Sequence, residues 1–154
     1  MLQLPFFALL AFIFSGCCTV EESQPGARTS LQADIIVSEN SNPDSDGRPT
    51  PVTVRIYQLE SGRNFEQADF QSLLDNDEMA LGADLLFKEE RDAHPGTRIP
   101  IQQELQETVR YLGVMATFRD FQNGAWRALT ELPAGSVPPL AIEIDESSVS
   151  IRQP

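Results

Sequence analysis

Cationic side chains are scarce in this sequence of 154 residues: 11 Lys and Arg stand against 23 Asp and Glu, for a net charge of −12. A surface of that sign repels phosphate backbones and anionic headgroups, so no nucleic-acid partner is expected. Histidine is down to His94 alone, lysine to Lys88 alone, and the only cysteines, Cys17 and Cys18, are adjacent. Metal centres, nucleophile–base pairs and Schiff-base chemistry draw on those residue types, and most enzyme classes fade without them. Neighbouring cysteines close a strained ring, and no internal disulfide is expected. The GxSxG, HExxH, Walker A and GxGxxG patterns are missing too. The apolar run Phe6–Phe14 has nine residues, which as a helix at ~1.5 Å per residue reach ~14 Å, about half a bilayer core.

What is present begins with an address. Nine apolar residues without periodicity, followed by Phe14-Ser15-Gly16-Cys17, read as the apolar stretch of a signal peptide ahead of small residues and a cysteine. The arrangement resembles a bacterial lipobox. That resemblance implies a diacylglyceryl group on the Cys17 sulfur, cleavage that removes residues 1–16, and acylation of the new amino terminus. The absence of Asp directly after Cys17 implies the outer membrane, and the covalent lipid would be the only attached group, with no other cofactor. Three acyl chains anchor far more firmly than the single chain that gives only marginal binding. Residues 17–30 form the lipidated linker, since TVEESQPGARTS is polar, contains Pro25 and Gly26, and shows no apolar period.

Residues 31–154 form one domain, and 41% hydrophobic content over the chain is enough for a core. Leu31–Val37 and Pro51–Leu59 read as strands, the second with Val52, Val54 and Ile56 on one face. Asn64 offers a helix cap with Gln67 three residues on, and Ala68, Phe70, Leu73 and Leu74 fall near one helical face that Asp75-Asn76-Asp77 ends. Further strands are expected over Leu85–Arg91, Arg98–Leu105, Val109–Arg119, Leu140–Asp145 and Val149–Ile151, with a hairpin turn at Asn123-Gly124. Short strands at close intervals with one helix predict an all-β, two-sheet β-sandwich with a short helical insertion.

Between the first two strands lies Asn42-Pro43-Asp44-Ser45-Asp46-Gly47-Arg48-Pro49-Thr50. Oxygen side chains at alternate positions ending in Asp-Gly look like the start of a calcium loop, but the twelfth position is Thr53, not the bidentate Glu. The same residues are ordinary turn formers. His94 in His-Pro-Gly reads as a turn residue, Glu89 and Glu90 alternate faces and do not converge, and Trp126 is expected to cap a core.

The ordered series of a lipobox cysteine, NPD-x-x-GRPxPV-x-VRIYQL (Asn42–Leu59), F-x-x-ADF-x-x-LL (Phe65–Leu74), LGADLL (Leu81–Leu86), a Pro-Gly turn and YLGVMATFRD (Tyr111–Asp120) with Trp126-Arg127 resembles the TssJ lipoproteins of type VI secretion systems. The resemblance implies a transthyretin-like sandwich held in the periplasm by outer-membrane acyl chains, structural and non-catalytic. It implies a partner, the periplasmic C-terminal domain of TssM, within a complex that also holds TssL, and it makes the first loop, Asn42–Thr50, the contact element. Pro43, Pro49 and Pro51 stiffen that loop, and Asp44, Asp46 and Arg48 carry charge for hydrogen bonding. The competing reading is an outer-membrane lipoprotein that binds a small ligand or calcium through the acidic loop.

Overall fold

The computed structural model describes residues 29–154. The expected signal segment, Cys17 and the linker up to residue 28 lie outside the described residues. Alternation of apolar and polar side chains builds eight strands: Ser30–Val37 (β1), Val52–Leu59 (β2), Leu85–Ala93 (β3), Arg98–Glu104 (β4), Tyr111–Ala116 (β5), Arg127–Glu131 (β6), Leu140–Ile144 (β7) and Val149–Arg152 (β8). They pair in two sheets, β4-β1-β7-β8 and β3-β2-β5-β6. Strand β1 runs antiparallel to β4 and parallel to β7, and the remaining pairs are antiparallel. Leu31, Ile35 and Ile142 from one sheet meet Val54, Ile56, Leu112 and Val114 from the other in a buried core. This is the expected two-sheet β-sandwich.

The registers give the sandwich two poles. Ser30 pairs with Glu104 and Leu59 with Tyr111 at the pole where the chain enters, while Val37 pairs with Ile144 and Val52 with Ala93 at the other. Eight residues of strand separate them by about 25 Å at ~3.3 Å per residue.

The outer face of the β3-β2-β5-β6 sheet is covered by Arg63–Gln67 (α1), Phe70–Leu81 (α2) and a 3-10 turn over Gly82–Asp84. Phe65, Phe70, Leu73 and Leu81 bury themselves against Tyr57, Leu59 and Met115 in a second apolar cluster. Each such side chain contributes about 1.5–3 kcal/mol when fully buried, which holds helices too short to be stable alone.

Two local expectations change, and a third holds only in part. Asn64 does not cap a helix: α1 starts after Gly62, and the Asn64 amide donates to the Leu81 carbonyl at 3.0 Å, fastening α1 to the end of α2. The cap belongs to Asp69, whose Oδ1 accepts from the Ser72 N–H at 2.8 Å. Asp75-Asn76-Asp77 does end the first helical stretch, as expected, but a second follows it without a loop. Asn76 leaves helical backbone at φ −154° and ψ 75°, and its Oδ1 then accepts from the Met79 N–H at 3.1 Å, so it restarts the helix as an internal cap. Finally, β5 and β6 are joined by the whole segment 117–126, not by a two-residue turn at Asn123-Gly124. The Gly124 N–H bonds to the Asp120 carbonyl, and a Cβ there would sit 2.2 Å from the Ser147 carbonyl oxygen. Gly124 is required by the close approach of the β7–β8 turn.

Among the buried polar groups, Gln58 and Asp77 tie elements together. Gln58, on the face of β2 that meets the other sheet, donates to Gln103 Oε1 at 3.1 Å and to the Glu104 carbonyl at 3.0 Å, tying the sheets together. Asp77, 4% exposed beneath α2, accepts from Lys88 Nζ at 2.8 Å and the Tyr57 hydroxyl at 3.0 Å. Arg55 Nη1 lies 3.4 Å from it and donates to the carbonyls of Leu73 and Leu74 beside the Asn76 break. Burial opposes ionisation of Asp77, but the hydrogen bonds from Lys88 and Tyr57 prevail and hold its carboxyl below the usual range. Burial, with the Asp77 carboxylate alongside, pushes the Tyr57 phenol up. A depressed carboxyl contributes stability above the unfolded value near pH ~4 and loses it as pH falls through the folded value. Asp77→Asn is therefore expected to cost about 2–4 kcal/mol at pH 7, and the gap to the unmodified chain should narrow below pH ~4. Urea unfolding of both proteins at pH 7 and pH 3 measures it.

Candidate functional site

The β1–β2 loop stands at the pole away from the chain entry and folds on a single residue. Asn42 takes the left-handed backbone at φ 48°, which asparagine tolerates better than most residues. Only 4% exposed, it bonds through every polar group it has. Its Nδ2 donates to Thr50 Oγ1 at 3.0 Å and to the Pro51 carbonyl at 2.8 Å, and its carbonyl accepts from the Thr50 hydroxyl. Its Oδ1 accepts from the Arg119 N–H at 2.8 Å, and its own N–H reaches the Glu146 carbonyl at 2.8 Å. The β1–β2 loop, the β5–β6 connection and the β7–β8 turn are thereby joined, and the Gly96 N–H adds the β3–β4 turn by bonding to the Ser38 carbonyl.

Beyond Asn42 the loop tip is shaped from within. Asp44 Oδ1 accepts the N–H groups of Asp46 and Arg48, each at 2.9 Å, while the Gly47 N–H bonds to the Asp44 carbonyl at φ 78°, a backbone suited to glycine. The Arg48 guanidinium bridges both acids, Nε to Asp44 Oδ2 at 3.0 Å and Nη2 to Asp46 Oδ2 at 2.7 Å. The Arg48 N–H above all, helped by its side chain, holds the Asp44 carboxyl below the usual range. Pro43 is half-buried; Ser45, Asp46, Gly47, Arg48 and Pro49 are exposed. The two carboxylates that resemble calcium ligands already face a cation. What the tip offers outward is a fixed shape with its charges largely matched.

Other residues singled out in the sequence are structural. Trp126 packs edge-on against Phe70, at 5.2 Å between ring centroids, where both apolar clusters meet. Arg127 lies over that ring at 4.7 Å and donates to the carbonyls of Phe65 and Ala68, clamping α1. Glu90 pairs with Arg55, Glu89 with Arg91 and Gln103, and His94 is exposed in its turn. Sequence reasoning missed the bond between Asn42 and Arg119, because 77 residues separate them.

Losing the Asn42 side chain orphans partners in two loops at once. Asn42→Ala is expected to destabilise the domain by about 2–3 kcal/mol, whereas Asp46→Ala, which removes one exposed pairing, should stay within about 0.5 kcal/mol. Thermal and urea unfolding of the two variants side by side decide it.

The comparisons bear on the whole sandwich. A protein-family model described as "Type VI secretion lipoprotein, VasD, EvfM, TssJ" matches residues 29–147. Among solved structures, the T6SS lipoprotein TssJ1 from Pseudomonas aeruginosa superposes with a TM-score of 0.78 at 29% identity, over 82% of this chain and 96% of that one. A chain of a structure described as "Type VI membrane complex" gives 0.74 at 27% identity, over 82% of this chain and 99% of that one. One described as "T6SS protein TssM C-terminal domain (869-1107) from EAEC" gives 0.67 at 27% identity, over 80% of this chain and 97% of that one. A comparison with the curated proteins returns no match. The chain belongs to the TssJ family of type VI secretion lipoproteins.

Proposed function

We propose that this lipoprotein tethers the membrane complex of a type VI secretion system to the outer membrane, with lipid on Cys17 as the anchor and the loop Asn42–Thr50 as the contact for the periplasmic C-terminal domain of TssM. It acts by binding, without catalysis, and TssL is a further member of the same complex. The signal segment is residues 1–16 and the tether residues 17–30, which bring the domain off the membrane on the periplasmic side.

One observation carries this reading. The chain enters the sandwich at Ser30, and the preformed loop stands at the opposite end of β1, beyond Val37. A domain anchored at its entry pole presents that loop away from the membrane, towards a partner arriving from the other side of the periplasm. The similarity to chains from structures described as a type VI membrane complex and a TssM C-terminal domain supports the same partner. A loop whose shape is set before binding loses little entropy on docking. With Asp44, Asp46 and Arg48 satisfied among themselves, its affinity rests on shape and on the exposed backbone around Ser45 and Gly47 more than on free charge.

Cys17→Ser is expected to abolish incorporation of labelled palmitate and release the protein from the outer-membrane fraction. Loss of the Asp44 side chain frees two backbone N–H groups and unravels the tip, so Asp44→Ala should weaken TssM binding by about ten-fold. Asp46→Ala should weaken it by no more than about two-fold. Calorimetric titration against the TssM periplasmic domain from the same bacterium reads both, and normal binding by Asp44→Ala removes the loop from the contact.

A further inference from the structure

Ten cationic side chains fall within the described residues. Arg48, Arg55, Lys88, Arg91, Arg98 and Arg152 stand in ion pairs, and Arg127 is held by two carbonyls. Three remain outside these ion pairs and carbonyl contacts: Arg63, Arg110 and Arg119. Arg110 adjoins the ends of β2 and β6 at the entry pole, and Arg63 opens α1. Arg119 alone of the three stands at the docking pole, on the β5–β6 connection.

Its position is fixed on the loop itself. The Arg119 N–H donates to Asn42 Oδ1 at 2.8 Å, and Nε donates to Thr50 Oγ1 at 3.3 Å. The guanidinium lies near enough to Asp44 to favour its ionised form, yet Asp44 is committed to Arg48 and to two backbone N–H groups. The terminal pair of nitrogens, Nη1 and Nη2, has no partner among the described residues. In a chain of net charge −12, an exposed arginine tethered at its backbone and its Nε, with its outer edge open, is placed to receive something.

We propose that Arg119 is a second element of the TssM contact and takes an acidic side chain of the partner. This rests on the docking role assigned to the loop Asn42–Thr50. The chemistry follows from geometry: a planar guanidinium edge with two parallel N–H groups matches a carboxylate in a bidentate pair. The two acids and two guanidinium groups of Asp44, Asp46, Arg48 and Arg119 balance locally. The exposed acids Glu39, Asp120, Asp145 and Glu146 around the same pole repel a carboxylate that lands elsewhere. Arg119 therefore gives register and specificity, while the loop gives shape.

The test uses the mature lipidated chain in detergent, titrated with the TssM periplasmic domain from the same bacterium. Arg119→Glu is expected to weaken binding by ten-fold or more and Arg119→Lys by about three-fold, since a lysine keeps the charge but not the bidentate edge. Arg63→Glu, the same charge change on an exposed residue of α1, should stay within about two-fold. If Arg119→Glu melts at a lower temperature, Arg119→Lys decides: binding equal to the unmodified chain overturns the proposal. Equal weakening by Arg63→Glu also overturns it, because the effect is then general charge. Failure of the unmodified chain to bind rejects the TssM contact itself, and the role of Arg119 falls with it; binding by the unmodified chain that Arg119→Glu leaves intact rejects only the role of Arg119.

Discussion

The Asn42 side chain bonds at once to Thr50, Pro51 and Arg119, and its backbone to Glu146. Everything at the distal pole depends on that buried amide. Connections between strands ordinarily move independently, because each carries its own solvated backbone. Here one residue in the left-handed conformation supplies donors and acceptors to three connections, and none of those bonds can break without stranding a polar group of the buried Asn42. The pole behaves as a single surface in consequence, and a surface that does not rearrange suits a contact whose work is to hold.

The two sheets meet solvent differently. The outer face of β3-β2-β5-β6 carries Tyr57 and Met115, which need cover, and α1 and α2 provide it. That cover is fastened by polar contacts as much as by apolar ones: Arg127 binds the end of α1, Arg55 binds the carbonyls beside the break in α2, and Lys88 with Tyr57 holds Asp77 beneath it. Across the sandwich, the outer face of β4-β1-β7-β8 is laced by the pairs Asp34–Arg98 and Glu143–Arg152 and carries no helix among the described residues. The helices thus stabilise one flank and leave the distal pole free.

Strand positions were legible because burial on a pleated sheet imposes a period of two, and Val52-Val54-Ile56 or Leu140-Ile142-Ile144 show it without interference. The helix ends were not. Asn64 has the spacing of a cap, but its amide finds the Leu81 carbonyl seventeen residues away, a tertiary bond that local pattern cannot reveal. Asn76 terminates one helical stretch and caps the next, and the carbonyls freed beside it are taken by Arg55 on β2, which local pattern cannot reveal. The same blindness applied to the loop. Its residues identify a turn, yet which charges face outward depends on Arg48 folding back over Asp44 and Asp46, and the role of Arg119 depends on a connection far along the chain.

In the proposed role, a pull enters at Ser30 and leaves through the loop beyond Val37, so the load path is β1 itself. β1 is an interior strand of its sheet. Residues 30–36 are in register with β4 on one side, and residues 33–37 with β7 on the other. Tension between its two ends runs along the covalent backbone of β1, and the ladders come under load only if the strand is driven to slide past its neighbours, in shear, where the bonds share the load and must fail together. The buried side chains Leu31, Ile35 and Val37 resist the same sliding, because a slip by one residue drives every one of them to the solvent face. Anchor and contact at opposite ends of an interior strand are therefore the arrangement in which this sandwich transmits tension with the least tendency to unfold.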